Sequence, residues 1–193
     1  MSEQIEVERD TRFIFDTSRW SAVIKYDEQT DYKKIKDAIE KTKGVDFIGI
    51  LDNEILSLME VKSFRGHRIE TKYRLEGVED SLDLETAQKF RDTIVGIIGA
   101  ARNSTHLREN WTTYTRFLLN SKKKIHVVLW LEKDEDTKSP NLRIKRDNAR
   151  GGNLTRRLRQ KMNWLTSNVF VSDINDNPYS TSLKVAFLPE NPA

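Results

Sequence analysis

The chain has no cysteine, and that single absence removes disulfides, thiolate zinc centres and cysteine nucleophiles together. It agrees with a reducing, cytoplasmic setting. Long apolar runs are missing too: the longest, residues 94–101, falls far short of the roughly 20 residues that a membrane-spanning helix needs. The first residues, Met1-Ser2-Glu3-Gln4-Ile5-Glu6, are acidic and polar, the reverse of a secretory signal. With 4 prolines and 8 glycines there is no low-complexity linker, and no segment repeats. Charge of one sign does not accumulate either. The 33 Lys and Arg against 30 Asp and Glu leave +3, so a nucleic-acid partner has to be sought in how charge is distributed. No catalytic triad, Walker loop or dinucleotide fingerprint occurs.

What remains is a chain of 193 residues, long enough for a proper core, which reads as a single domain over 1–193. Apolar alternation predicts a short strand over 19–26, and helical spacing predicts a helix over 29–42 with Tyr32, Ile35 and Ile39 inward. Two apolar strands follow, 47–51 and 55–63. The strongest helical pattern covers 84–102, with Leu84, Ala87, Phe90, Ile94, Ile98 and Ala101 on one stripe. Gly96 and Gly99 fall on the other side with Asp92, and each glycine costs a helix about 1 kcal/mol, so a close helix contact or a dimer seam is expected there. A helix over 107–120, a Val, Ile and Trp-rich strand over 124–131, a helix from Asn153 to about 165 and a strand over 168–174 complete the core. Residues 182–188 are expected to pair with that last strand or lie beside it. His126 reads as a satisfied core histidine. Trp20, Trp111, Trp130 and Trp164 are dispersed and read as core or interface.

The two strands at 47–63 carry the chemistry. If residues 52–54 form the turn, with Asn53 suited to a left-handed position, Leu51 faces Ile55 and Asp46 faces Glu60. Side chains alternate along a strand, so Asp46, Ile48 and Ile50 share a face with Leu56, Leu58, Glu60 and Lys62. Charges therefore cap an apolar face, where a carboxylate costs several kcal/mol unless it is paired or bound to a cation. Two readings stand on these residues. Lys62 closes a structural salt bridge, or Asp46 and Glu60 offer the hard oxygens that Mg²⁺ requires while Lys62 orients a water.

An aspartate opening one strand of a hairpin and Glu-x-Lys on the next resembles the PD-(D/E)XK nuclease superfamily. Glu60-Val61-Lys62 fits the second half as it stands, while Val45-Asp46 takes the place of Pro-Asp. The run Leu58-Met59-Glu60-Val61-Lys62-Ser63 is similar to the corresponding strand of archaeal Holliday-junction resolvases and restriction-type enzymes. The resemblance covers roughly residues 30–135, of which only the motif is specific. It implies an α/β fold with a restriction-endonuclease-like α/β/α core over about 28–175, in which helices flank a mixed central β-sheet. It further implies an endonuclease acting on nucleic acid, DNA ahead of RNA, with Mg²⁺ or Mn²⁺ held by Asp46, Glu60 and the Val61 carbonyl. Asp46, Glu60 and Lys62 are its expected catalytic set. A further acidic ligand from the preceding helix is common in the superfamily, and Glu40 is the first candidate here. A restriction or phage-defence role, a homodimer or a protein partner are compatible settings. The alternative is a non-cleaving nucleic-acid-binding or scaffolding subunit of a larger defence or repair assembly.

Basic residues cluster after the core strands. From 141 to 161 there are eight Lys or Arg against Asp147, interrupted by Gly151-Gly152. Arg143, Lys145, Arg146, Arg156 and Arg157 are candidates for a phosphate clamp; the alternative is a solvated helix face that packs through Leu154, Leu158, Met162 and Leu165. Arg65, His67 and Arg68 leave the Glu-x-Lys strand at the same end as the carboxylates and are nucleic-acid-binding candidates on that ground. Gln88, beside the apolar stripe of the long helix, is a further candidate, or an ordinary helix-flank glutamine.

Overall fold

Alternating apolar and polar residues open the fold. β1 (Glu3–Glu8) pairs antiparallel with β2 (Thr11–Asp16), which turns Thr11, Phe13 and Phe15 inward and leaves Arg12 in solvent. There follow β3 (Trp20–Lys25), α1 (Thr30–Ala38), β4 (Phe47–Leu51), β5 (Ile55–Ser63), α2 (Leu82–Asn103) and α3 (Arg108–Leu119). The chain closes with β6 (Lys124–Glu132), α4 over 152–162, β7 (Val169–Ser172) and β8 (Leu183–Phe187). This is a computed structural model, and it describes residues 2–64, 81–132 and 152–188.

Five strands form one mixed sheet in the order β3-β4-β5-β6-β7, with antiparallel pairing up to β5 and parallel pairing from β5 to β7. Parallel neighbours need a crossover, so the chain leaves the end of β5 and returns through α2 and α3 to start β6. α4 stands between β6 and β7 in the same way. β4 and most of β5 and β6 are buried on both faces, as expected of strands covered from two sides.

The two covers differ. On one face Ile48, Ile50, Leu56, Leu58, Val127 and Leu129 share a cluster with Phe90 and Ile97 of α2, Trp111 and Tyr114 of α3, and Leu158 of α4. On the other, Phe47, Met59, Val61 and Trp130 pack with Phe13 and Phe15 of a three-stranded antiparallel sheet in the order β1-β2-β8. The mixed α/β sheet stands as expected, but the α/β/α layering is corrected: helices cover one face and a small sheet the other. The reason lies in aromatic surface. The Phe13 ring lies 5.2 Å from Phe47 and 5.5 Å from Trp130, the latter edge-on, and so fills the space a helix would have taken.

The last strand is corrected with it: β8 pairs with β2, away from β7. Tyr179 directs the chain there. Its carbonyl accepts the Ser182 and Leu183 N–H groups, each at 2.8 Å, and its hydroxyl meets Ser57 Oγ at 2.9 Å and His126 Nδ1 at 3.1 Å. His126 also stacks on the Tyr179 ring at 5.9 Å. Burial, with a smaller contribution from Lys124, pushes its pKa down to about 4, so it is neutral and structural.

α2 is rotated from the expected stripe. Phe90 and Ile94 are buried, but Leu84 and Ile98 are exposed, and Thr86, Thr93 and Gly96 face in with Ile97 and Ala100. Polar docking decides this. Thr93 Oγ1 accepts Val45 N–H at 3.0 Å, and Asp92 Oδ2 accepts Lys43 N–H at 3.1 Å. Ile39 is exposed as well, because α1 ends at Ala38. Trp20, Trp111 and Trp130 are core, whereas Trp164 is exposed. Among the described residues no helix is long and apolar enough to cross a membrane.

The two glycines of α2 give opposite expectations. A Cβ at Gly96 would overlap the Tyr26 hydroxyl and press on its Cζ at 3.3 Å, and Tyr26 is itself buried against Tyr32 and Trp111. A Cβ at Gly99 meets nothing within 4 Å. In urea unfolding, Gly96→Ala should cost about 1–3 kcal/mol by overpacking, while Gly99→Ala should gain up to about 1 kcal/mol in helix propensity. Equal effects at the two positions would contradict the docking of α2 on Tyr26.

Candidate functional site

The hairpin turn has the expected length, with Leu51 opposite Ile55 and Asp52 and Asn53 both left-handed at φ 51° and 52°. Phe47 stands opposite Met59, which brings Asp46 to the level of Glu60. The backbone of Asp46 is held from both sides: its N–H donates to Met59 O at 3.1 Å and its carbonyl accepts Tyr26 N–H at 2.8 Å. Since β4 begins only at Phe47, Val61 has Trp130 of β6 as its strand neighbour on one side and no β4 residue on the other. The Val61 N–H donates instead to Asp46 Oδ2 at 2.6 Å.

Glu60 has no exposed surface. Its Oε1 is approached by Lys62 Nζ at 3.1 Å and by Lys89 Nζ, from α2, at 2.6 Å. The two ammonium groups offset the charge of Glu60, and its Oε2 has no hydrogen-bond donor among the described residues. Lys62 also donates to Glu85 Oε1 at 3.2 Å, one turn before Lys89 on the same helix face. Burial lowers the Lys89 ammonium's pKa, but the nearby charges of Glu60 and Asp46 outweigh it and the net shift is upward.

On its other side Asp46 meets acids that the sequence pattern did not single out. Carboxylate oxygens of Glu8, Asp27 and Asp46 lie within 4.8 Å of one another. Asp27 Oδ1 is buried without a hydrogen-bond donor among the described residues, and Glu8 pairs with Lys25 at 3.2 Å. Burial first, and then the charge of Glu60, pushes the Asp46 carboxyl up to about 7 against the opposing pull of Lys89 and the Val61 N–H. Asp27 is pushed up to about 6, by burial and then by Asp46. Glu40 is exposed beyond the end of α1, while the acids beside Asp46 are Asp27, two residues past the end of β3, and Glu8 of β1. The antiparallel pairing of β3 with β4 is the signal that would have found Asp27.

The nucleic-acid candidates separate. Arg65, His67, Arg68, Arg143, Lys145 and Arg146 lie outside the described residues. Gln88 is half-buried on α2, next to Lys89, and Arg156 is exposed on α4. Arg157 Nε lies 3.0 Å from Asp83 Oδ1, with Lys161 Nζ at 3.1 Å from Oδ2. Burial favours the neutral Asp83 acid, but hydrogen bonds from Ser81, Arg157 and Lys161 prevail and its pKa is lowered. Arg157 therefore ties α4 to the start of α2.

The group brings Asp46, Glu60 and Lys62 together as the spacing predicted. It adds Lys89, Glu85, Asp27 and Glu8, which arrive from three other elements and leave no local trace. The buried Oε2 of Glu60, beside Asp46 and without a donor among the described residues, fits a hard divalent cation, for which carboxylate oxygens are the natural donors. The Val61 carbonyl leaves its strand on the same edge as the N–H that Asp46 uses. Comparisons of the chain with protein-family models, curated proteins and solved structures return no match.

These shifts make stability depend on pH. Unfolded carboxyls ionise near 4, whereas Asp46 and Asp27 in the folded chain hold their protons to about 7 and about 6. Over that window the folded state binds more protons than the unfolded one, so these groups lower stability as pH rises. In metal-free buffer Asp46→Asn should match wild type near pH 4 and gain progressively up to pH 8, by at most about 4 kcal/mol at 1.36 kcal/mol per pH unit. A difference that does not change with pH in chemical unfolding would contradict the raised Asp46 pKa.

Proposed function

We propose that the chain is a metal-dependent endonuclease of the PD-(D/E)XK type. The observation that carries the reading is the convergence of Asp46, Glu60 and Lys62 at one end of the β4–β5 hairpin, with a buried carboxylate oxygen of Glu60 that has no donor among the described residues. That end is also the carboxyl end of β5, where the chain leaves a parallel pair, and open α/β sheets bind ligands outside such strand ends.

Asp46, Glu60 and the Val61 carbonyl would hold Mg²⁺ or Mn²⁺. The bound ion would supply a Lewis acid for the phosphoryl oxygens and lower the pKa of a water. Lys62 presents an ammonium beside Glu60, positioned to orient an attacking water and to offset charge that develops on the phosphate. Val61 N–H fixes one oxygen of Asp46 and so restricts how that carboxylate turns. Exposed Arg156 is available for a backbone phosphate. Arg157, already engaged with Asp83, would serve the scaffold.

One observation favours the non-cleaving alternative: two lysines already offset the charge of Glu60. A cleavage assay separates the readings. Linear, supercoiled and single-stranded DNA, and RNA, would be incubated with Mg²⁺, with Mn²⁺ and with EDTA. Wild type should cut in the metal arms alone, and Asp46→Asn, Glu60→Gln and Lys62→Met should each slow cutting by at least about 100-fold, the low end for loss of a proton-transfer or charge-stabilising group. Circular dichroism would confirm that the variants fold. No cutting of any substrate by wild type, or variants as active as wild type, would leave the binding-subunit reading in place.

The two arginines should also part company. Arg156→Ala should weaken DNA binding and make the log-log salt slope shallower by about 1, with stability unchanged. Arg157→Ala should lower stability by about 1–3 kcal/mol, because buried Asp83 keeps only part of its compensation. If both variants lost affinity alone, Arg157 would belong to the phosphate path after all.

A further inference from the structure

We propose that Lys89 is the resident counter-ion of the carboxylate site: it holds Glu60 in the metal-free protein, leaves it when a divalent cation is taken up, and passes to Glu85. The inference rests on the metal site of the preceding reading and concerns how that site is loaded.

A carboxylate as buried as Glu60 needs positive charge close by, and two ammonium groups crowd the same oxygen, at 2.6 Å and 3.1 Å. Lys62 stands on β5 itself, two residues along on the same face, and it donates to Glu85. Lys89 comes from a different element, and its ammonium meets Glu60 Oε1 at 2.6 Å. A divalent cation on Glu60 would sit within a few ångströms of that ammonium. In a site with little water such like-charge contact is strongly unfavourable, and the more exposed ammonium, Lys89 at 17% against Lys62 at 11%, is the one that yields.

The place for it to go already exists. Glu85 lies four residues before Lys89 on α2, and Glu followed by Lys at that spacing is the favourable order for a helix-surface pair. Both side chains are only partly exposed, Lys89 at 17% and Glu85 at 20%, so the transfer stays at the mouth of the site. Lys62 keeps its position throughout. Uptake of the cation is thereby coupled to a change of partner by one side chain, and the buried carboxylate is never left without positive charge.

Calorimetric titration of Mg²⁺ and Mn²⁺ into wild type and Lys89→Met tests the exchange. Removing the competitor should tighten metal binding by about tenfold or more, while the melting temperature of the metal-free variant falls because Glu60 has lost a cation. A lysine with a purely structural role would give the same fall in melting temperature with affinity unchanged or weaker, and that result overturns the inference. If neither protein binds metal, the nuclease reading fails and the exchange falls with it. If wild type binds and Lys89→Met binds no tighter, only the exchange fails. Should Lys89→Met not fold, a crystal structure of the wild-type protein with Mn²⁺ decides. Lys89 Nζ is expected beyond 4 Å from Glu60 and within 4 Å of Glu85, and an ammonium still seated on a metal-bound Glu60 would overturn the proposal.

Discussion

A glutamate with no exposed surface at the end of a buried strand dictates much of the surrounding structure, because its charge is tolerable only with cations held against it. Lys62 comes at little cost, since residues two apart on a strand share a face. Lys89 does not. It requires the second turn of α2 to lie over the end of β5, and several contacts fix the helix there: Asp92 and Thr93 on the segment before Asp46, Gly96 against Tyr26, and Asp83 bound to Arg157 and Lys161. The rotation of α2, which exposes Leu84 and Ile98, follows from meeting these polar requirements ahead of the apolar ones.

Around that pair the site is electrostatically uneven. On the α2 side lysines stand close to Glu60, whereas on the β1 and β3 sides Glu8, Asp27 and Asp46 crowd together. The elevated Asp46 and Asp27 carboxyls are the consequence of that crowding and of burial. Carboxylates held close in spite of repulsion are what a cation-binding centre needs, because an arriving cation turns the repulsion into coordination.

The hairpin was legible because its information is local. A turn of three residues sets the register, alternation sets the faces, and Asp46, Glu60 and Lys62 fall together from those two rules alone. The strands and helices of the core were legible in kind for the same reason. The expected fold went astray where distant segments decide. β1 and β2 are short and their own residues name no partner, yet Phe13 and Phe15 supply the second cover of the sheet. β8 takes its place from the Tyr179 turn and from β2, neither of which its own residues reveal. Lys89 sits within a helix whose apolar spacing pointed elsewhere, and Asp27 depends on the β3–β4 pairing. The basic stretch shows the opposite limit, since composition alone does not separate exposed Arg156 from Arg157, which is spent on Asp83.

The most direct test of the site is affinity cleavage with Fe²⁺ substituted for Mg²⁺, in which ascorbate and peroxide generate radicals that cut the backbone close to the bound metal. The site described here predicts two clusters of cuts, around Asp46 and around Glu60 and Val61, both suppressed by excess Mg²⁺ and absent from Glu60→Gln. Protein left uncut, or cut near Glu8 and Asp27 without cuts at Glu60, would contradict it.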